Sequence, residues 1–409
     1  MSTTSARRRV LFFAEAVTLA HIGRPLALAA ALAAEEFEVA LACDLRAAWA
    51  LEGFRGRVLP IRSIPSTQFL HALAVGRPVY DEATLTAYVE EDLKVLEDVR
   101  PDVVVGDFRL SLSVSARRAG VRYLAISNAY WSPYYAEARY VIPEHPATRF
   151  VPVGLASAFF RATRPAYFAL HSRPINRVRR RFGMASLGGD LRHIYTDADE
   201  VLYADIPQLF PLVDAPPTHE FVGPIIWTPP VALPQWWTSI PINKPLLYVT
   251  LGSSGRPELL DEVLAALGPL DVTVVAATAN DQPARSLPEN ASVAPYLPGH
   301  EAAKRSQLVI CNGGSPTSQQ ALAAGVPVIG IASNLDQFLN MQAIEKAGAG
   351  VLLRSDRFAP VRLRRAVERA LGDRVFNAAA QRIASWFKGF SASRHFEAVV
   401  QGRSETVRR

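Results

Sequence analysis

Twice along this chain, short and continuously apolar runs alternate with helical patterns, and a proline-rich stretch separates the two series. RRVLFFA, FEVALAC, PDVVVGD and VRYLAIS read as strands, with PLALAAALAAEE, YVEEDLKVLEDV and LSVSARRAG as helices between them. The second series runs PLLYVTLG, LLDEVLAALG, VTVVAAT, QLVICNGG, TSQQALAAG, PVIGIAS and MQAIEKAG. Strands that are apolar on both faces and joined by helices form parallel sheets covered on both sides. The pattern predicts an α/β fold of two facing Rossmann-like domains with an interdomain cleft. A length of 409 residues exceeds what one core usually holds, and 49% apolar residues can fill two.

The expected organisation is an N-terminal domain over 1–220, a linker over 221–245, a C-terminal domain over 246–375 and a helical segment over 376–409 packing back toward the N-terminal domain. The linker, FVGPIIWTPPVALPQWWTSIPINKP, holds too many prolines for a regular helix or a central strand. Residues 128–182 break the rhythm, being rich in aromatics and prolines with weak periodicity.

A formal charge of +6 is mild for this length, and no nucleic-acid contact is expected. Arg173, Arg177, Arg179, Arg180 and Arg181 form one basic cluster, read as a solvated helix face, with peripheral membrane contact as the alternative. Two cysteines, Cys43 and Cys311, suit a reducing cytoplasm. Arg7, Arg8 and Arg9 before an apolar run imitate a signal peptide, but Glu15, His21 and Arg24 interrupt it. No stretch is long and charge-free enough to span a bilayer.

QLVICNGGSPTSQQALAAGVPVIG carries the strongest functional signal. Gly313 and Gly314 let the backbone turn sharply and approach a ligand, Ser315 can cap a helix, and Pro316 suits its first turn. A strand, two glycines and a capped helix make an anion site, most naturally for a phosphate or diphosphate. A second small-residue turn, Gly252, Ser253 and Ser254, ends the first strand of the same domain, on the edge where open parallel sheets bind ligands.

These motifs, LYVTLGSSG followed by APYLPGHEAAKRSQLVICNGGSPTSQQALAAGVPVIGIASNLDQ, closely resemble the donor half of family 1 glycosyltransferases of the GT-B fold, the UDP-glycosyltransferase and macrolide glycosyltransferase group. The resemblance implies that Ser253, Asn312, Gly313, Gly314 and Thr317 hold a nucleotide diphosphate. It implies that Tyr296 stacks on the base, that Gln320 meets the ribose, and that Asp336 and Gln337 bind hydroxyls of the donor sugar. The first domain would then bind the acceptor and the second the nucleotide-sugar. Two positions depart from the family, which has histidine at Asn312 and glutamate at Gln320. An amide cannot carry the histidine's positive charge, and Gln320 accepts through a single oxygen. A deoxyribose donor such as a dTDP-sugar lacks one hydroxyl there, and a UDP-sugar remains open.

In an inverting transfer the acceptor hydroxyl needs a base, and a histidine paired with a carboxylate suits the task. His21, in AHIGRPLALA, resembles the family's Gly-His-x-x-Pro turn and is expected just ahead of the first helix. Asp107 ends the strand PDVVVGD, where the family keeps the aspartate that orients the histidine. Fixed N–H groups stabilise a leaving diphosphate, so neither a metal nor another cofactor is expected. The remaining histidines show no metal-ligand spacing, and GxSxG, Walker A and GxGxxG motifs are absent. Aromatic residues over 130–168 suit either the wall of a site for a small aromatic, polyketide or lipid-like acceptor, or plain core. The leading expectation is a glycosyltransferase of the hexosyltransferase type. A nucleotide-sugar 2-epimerase and a non-catalytic nucleotide-sugar-binding protein are the alternatives.

Overall fold

The computed structural model describes residues 7–252, 254–279 and 287–403, which divide into two compact units. Unit 1 takes the described residues of 1–137, 162–225 and 390–409, and unit 2 those of 138–161 and 226–389.

Among the described residues, unit 1 holds one seven-stranded sheet in the order β3-β2-β1-β4-β5-β6-β7. Its strands are β1 (Arg8–Ala14), β2 (Phe37–Cys43), β3 (Arg57–Pro60), β4 (Val103–Asp107), β5 (Arg122–Ser127), β6 (Glu200–Tyr203) and β7 (His219–Phe221), all parallel. Helices α1 (Ala20–Ala30), α2 (Ser66–Ala74), α3 (Glu82–Val99), α4 (Leu112–Ala119), the part of α5 (Val153–Arg181) from residue 162 onward, and α6 (Leu191–Tyr195) connect them. Strand order reverses between β1 and β4, and their register sets Ala14 beside Asp107. Whatever follows β1 therefore meets the end of β4 at the point where such sheets bind ligands. Leu11, Phe13, Val104, Leu112 and Ala116 form a dry core beneath that edge.

Unit 2 repeats the plan with six parallel strands in the order β10-β9-β8-β11-β12-β13. These are β8 (Leu246–Thr250), β9 (Thr273–Ala277), β10 (Ala291–Ala294), β11 (Leu308–Cys311), β12 (Val328–Ala332) and β13 (Gly350–Arg354). Its helices are α7 (Leu260–Leu267), α8 (Gly299–Arg305), α9 (Ser315–Ala323), α10 (Leu335–Lys346), α11 (Pro360–Gly372) and α12 (Arg374–Phe387). The reversal falls between β8 and β11, so both glycine turns open on one edge. Val249, Val274, Ile310, Ile329 and Leu363 are buried below them.

Several boundaries differ from the sequence expectation. Helix α1 starts at Ala20, with Pro25 inside it, so His21 lies in its first turn rather than ahead of it. Residues 128–182 contain the 29-residue α5 despite Pro165 and Pro174. Residues 138–161 group with unit 2 because polar contacts tie them there. The Glu144 amide donates to Ser333 O at 2.7 Å, and Arg354 donates to Ile142 O at 2.8 Å. The return to unit 1 begins only at residue 390, since α12 stays with unit 2, where Gln381 donates to Gly325 O at 3.2 Å. The last helix, α13 (Ala392–Gln401), then lays Phe396 on Phe12 with ring centroids 5.6 Å apart.

Candidate active site

His21 and Asp107 meet at the unit 1 reversal point, His21 Nδ1 donating to Asp107 Oδ1 at 2.8 Å. Asp107 is 1% exposed and His21 17%, so the carboxylate is sealed while the imidazole keeps an open edge. An ionised carboxylate only accepts, so the proton sits on Nδ1 and the Nε2 lone pair is left for a substrate. Nε2 has no hydrogen-bond partner among the described residues.

Arg24, one turn further along α1, grips the same carboxylate in a fork. Its Nε donates to Oδ2 at 2.7 Å and its Nη2 to Oδ1 at 2.8 Å. Burial pushes the Asp107 carboxyl up, but Arg24 and His21 outweigh it and hold it below the ordinary carboxylate value. Arg24 Nη1 donates to Asn128 Oδ1 at 2.8 Å, and Asn128 Nδ2 donates to Asp205 Oδ2 at 3.1 Å.

Phe108 stacks flat on the His21 ring, with centroids 4.7 Å apart and planes 11° apart. It does so from a left-handed backbone, φ 60°, a conformation rare for a bulky residue. The next residue, Arg109, anchors that turn through buried ion pairs to Glu15 at 2.9 Å and Asp92 at 2.9 Å. Phe69, Tyr80 and Tyr195 surround Phe108 at 5.9, 6.2 and 5.6 Å, and Trp131 meets Tyr195 edge-on at 5.1 Å. An imidazole within an aromatic wall results. From the expected aromatic stretch, Trp131 joins it. Tyr130, Tyr135 and Phe168 are core, the first two packing on Phe210.

In unit 2, Asn312 bridges the two glycine turns. Its Nδ2 donates to Ser254 Oγ at 3.2 Å, and its Oδ1 accepts from the Gly314 amide at 3.0 Å. The Gly313 amide points at Cys311 Sγ, 3.2 Å away. Gly313 itself is required, since φ is 80° and a Cβ would meet Met341 at 2.6 Å. The anticipated cradle of glycine N–H groups therefore has protein partners already. Gly314, not Ser315, is the N-cap of α9, and no side chain caps that end. Thr317 lies half-buried in the uncapped first turn, where backbone donors and the helix dipole favour an anion. Ser253 lies outside the described residues.

Gln320 is buried, donating through Nε2 to Trp227 O at 2.6 Å, while its Oε1 lies over Gly299. The Tyr296 hydroxyl donates to Ala279 O at 3.3 Å. Asp336 is half-buried in the first turn of α10. Gln337, at 1% exposure, is turned inward. It completes a capping box with Asn334, accepts from the Ser333 amide at 2.8 Å, and donates to Ser254 O at 3.0 Å. Through these bonds Gln337 fastens the Ser254 turn to α10.

The basic cluster is not uniform. Arg179 is buried, bonded to Ala185 O at 2.8 Å and paired with Asp197, and Arg177 stands 3.7 Å from Glu82. Among the described residues no helix is long and apolar enough to cross a membrane.

Residues 261–388 match the family model described as the erythromycin biosynthesis protein CIII-like C-terminal domain. Over 381 residues, 93% of this chain and 84% of the other, the sequence is 52% identical to a PGL/p-HBAD biosynthesis rhamnosyltransferase of Mycobacterium bovis (strain BCG / Pasteur 1173P2). The chain belongs to the GT-B glycosyltransferases. Solved structures agree on the fold of this glycosyltransferase. The spinosyn forosaminyltransferase SpnP superposes with a TM-score of 0.69 at 20% identity, covering 97% of this chain and 100% of that one. Glycosyltransferase VinC in complex with DTDP gives 0.66 at 18% identity, covering 96% and 100%. The epimerase alternative is set aside by relatives named as a rhamnosyltransferase and a glycosyltransferase.

Proposed function

We propose that this glycosyltransferase moves a deoxyhexose, of the rhamnose type, from a dTDP-sugar to a hydroxyl on an aromatic, lipid-like acceptor, with inversion at the anomeric carbon. The observation that carries the reading is the His21–Asp107 pair, with a free Nε2 set within an aromatic wall. Nε2 takes the acceptor proton as the oxygen attacks, and the buried carboxylate orients the ring and fixes its tautomer. The uncapped end of α9, with Thr317, receives the departing diphosphate, while Asn312 and Gln337 hold the turns around it. Tyr296 and the single acceptor oxygen of Gln320 serve the nucleoside, and Asp336 reads sugar hydroxyls. In this reading no metal or other cofactor takes part, and the reaction proceeds in a reducing cytoplasm. The sugar type draws support from the relative named as a rhamnosyltransferase, and the nucleotide from VinC bound to DTDP.

The test is transfer from dTDP-rhamnose and from UDP-sugars to a long-chain phenol, in EDTA, with the product anomer assigned by NMR. Inversion with dTDP-rhamnose, and a loss of at least about 10²-fold in kcat for His21→Ala, are expected. Retention, or full turnover without His21, overturns the mechanism. A strict preference for UDP-sugars overturns the donor.

A further inference from the structure

We propose that Arg24 is a positioning residue that opposes, at the His21 ring, the charge of Asp107 and leaves Asp107 chiefly an orienting role. The inference rests on the reading of His21 as the base.

The geometry has three parts. Asp107 Oδ1 is shared, accepting from His21 Nδ1 and Arg24 Nη2 at 2.8 Å each. Arg24 Nη2 also stands 3.4 Å from His21 Nδ1, so a fixed positive charge lies about as close to the ring as the negative one. Nδ1–H already points at Asp107, so that contact is charge against ring and not a hydrogen bond. The guanidinium cannot swing away. Asn128 holds its far nitrogen, and Asp205 holds Asn128 in turn.

Among the described residues, the charged groups in contact with His21 are Arg24 on its own helix and Asp107 at the end of β4. Phe108 covers the ring face, and Asp205 and Tyr130 act on Arg24 from behind. A lone buried carboxylate would favour the imidazolium strongly. A carboxylate already matched by a guanidinium of opposite sign at similar distance favours it little. Without Arg24, burial would also push Asp107 toward its neutral form, so the same residue that weakens the pair electrostatically keeps it ionised. The spacing His21-x-x-Arg24 on one helix builds base and counter-cation as a unit.

The pH dependence of kcat/KM tests this, read beside thermal unfolding of each variant. Arg24→Gln is expected to raise the acid limb by about one pH unit or more, a tenfold change in proton affinity. Arg24→Gln with Asp107→Asn removes both charges and leaves a hydrogen-bonding amide at each position, so it serves if the single variant does not fold. Its acid limb is expected within about 0.3 units of the wild-type enzyme, although kcat falls. A limb that stays put in Arg24→Gln, or drops by about a unit in the double variant, shows Arg24 to be merely structural and overturns the proposal. Turnover retained in His21→Ala would instead strike the base assignment, leaving the two failures distinguishable.

Discussion

Asp107 is nearly sealed, yet its carboxyl is held below the ordinary range because Arg24 and His21 both bind the charged form. A depressed folded-state value means that ionised Asp107 stabilises the fold above the unfolded value of about 3.9, and that this is lost as pH falls through the folded value. The stability gap between the wild-type enzyme and Asp107→Asn is therefore expected to be flat between about pH 6 and 8 and to shrink below about pH 4. Unfolding midpoints across pH check it, and a gap that widens in acid contradicts the assignment. His21 was picked out by its resemblance to the family's Gly-His-x-x-Pro turn, and Asp107 by its place at the end of β4. Arg24 also left a trace, since His-x-x-Arg on a helix faces one way, but it was read only as an interruption of an apolar run. Phe108, Asn128 and Asp205 left none. Their roles arise from three separate strand ends meeting at one sheet edge, and nothing local to each residue encodes that meeting.

At the scale of elements, the N-terminus of α10 is fastened twice, by its capping box and by the Gln337 bond to Ser254 O. Gln337→Ala removes the reciprocal cap and frees the Ser254 turn, at a cost of about 1–2 kcal/mol. Donor KM is expected to rise several-fold while acceptor KM holds. A folded variant with unchanged donor affinity would break the link between this helix end and the donor turn. The motif Asn334-x-x-Gln337 was legible as a capping box. The strand, glycine turn and helix were legible, but the engagement of the turn's amides by Asn312 and Cys311 was not. Whether an N–H is spare depends on side-chain rotamers across a turn, which spacing alone does not specify.

For the whole molecule, two strand series announced two sheets, and the order in each follows from ordinary right-handed crossovers. What escaped the sequence was how the chain passes between units. Residues 138–161 join unit 2 through Glu144, Arg354 and Thr148, polar links that carry no periodic signature. Helix α13 belongs to unit 1, where Phe396 meets Phe12 and Arg122 donates to Val399 O at 2.9 Å. A chain ending at residue 389 loses these contacts. It is expected to lose at least about 3 kcal/mol from unit 1, given what one large buried aromatic contributes. Two separated thermal transitions, with the earlier one in unit 1, would show this. A single unshifted transition would contradict it.

The same arrangement sets a clock on the ribosome. The first unit is completed by a helix translated after the whole of unit 2. At synthesis rates of ~5–20 residues per second, the roughly 165 intervening residues take about ten to thirty seconds. During that interval Phe12 and its neighbours on β1 lack their final cover, and a nascent chain cut short never acquires it.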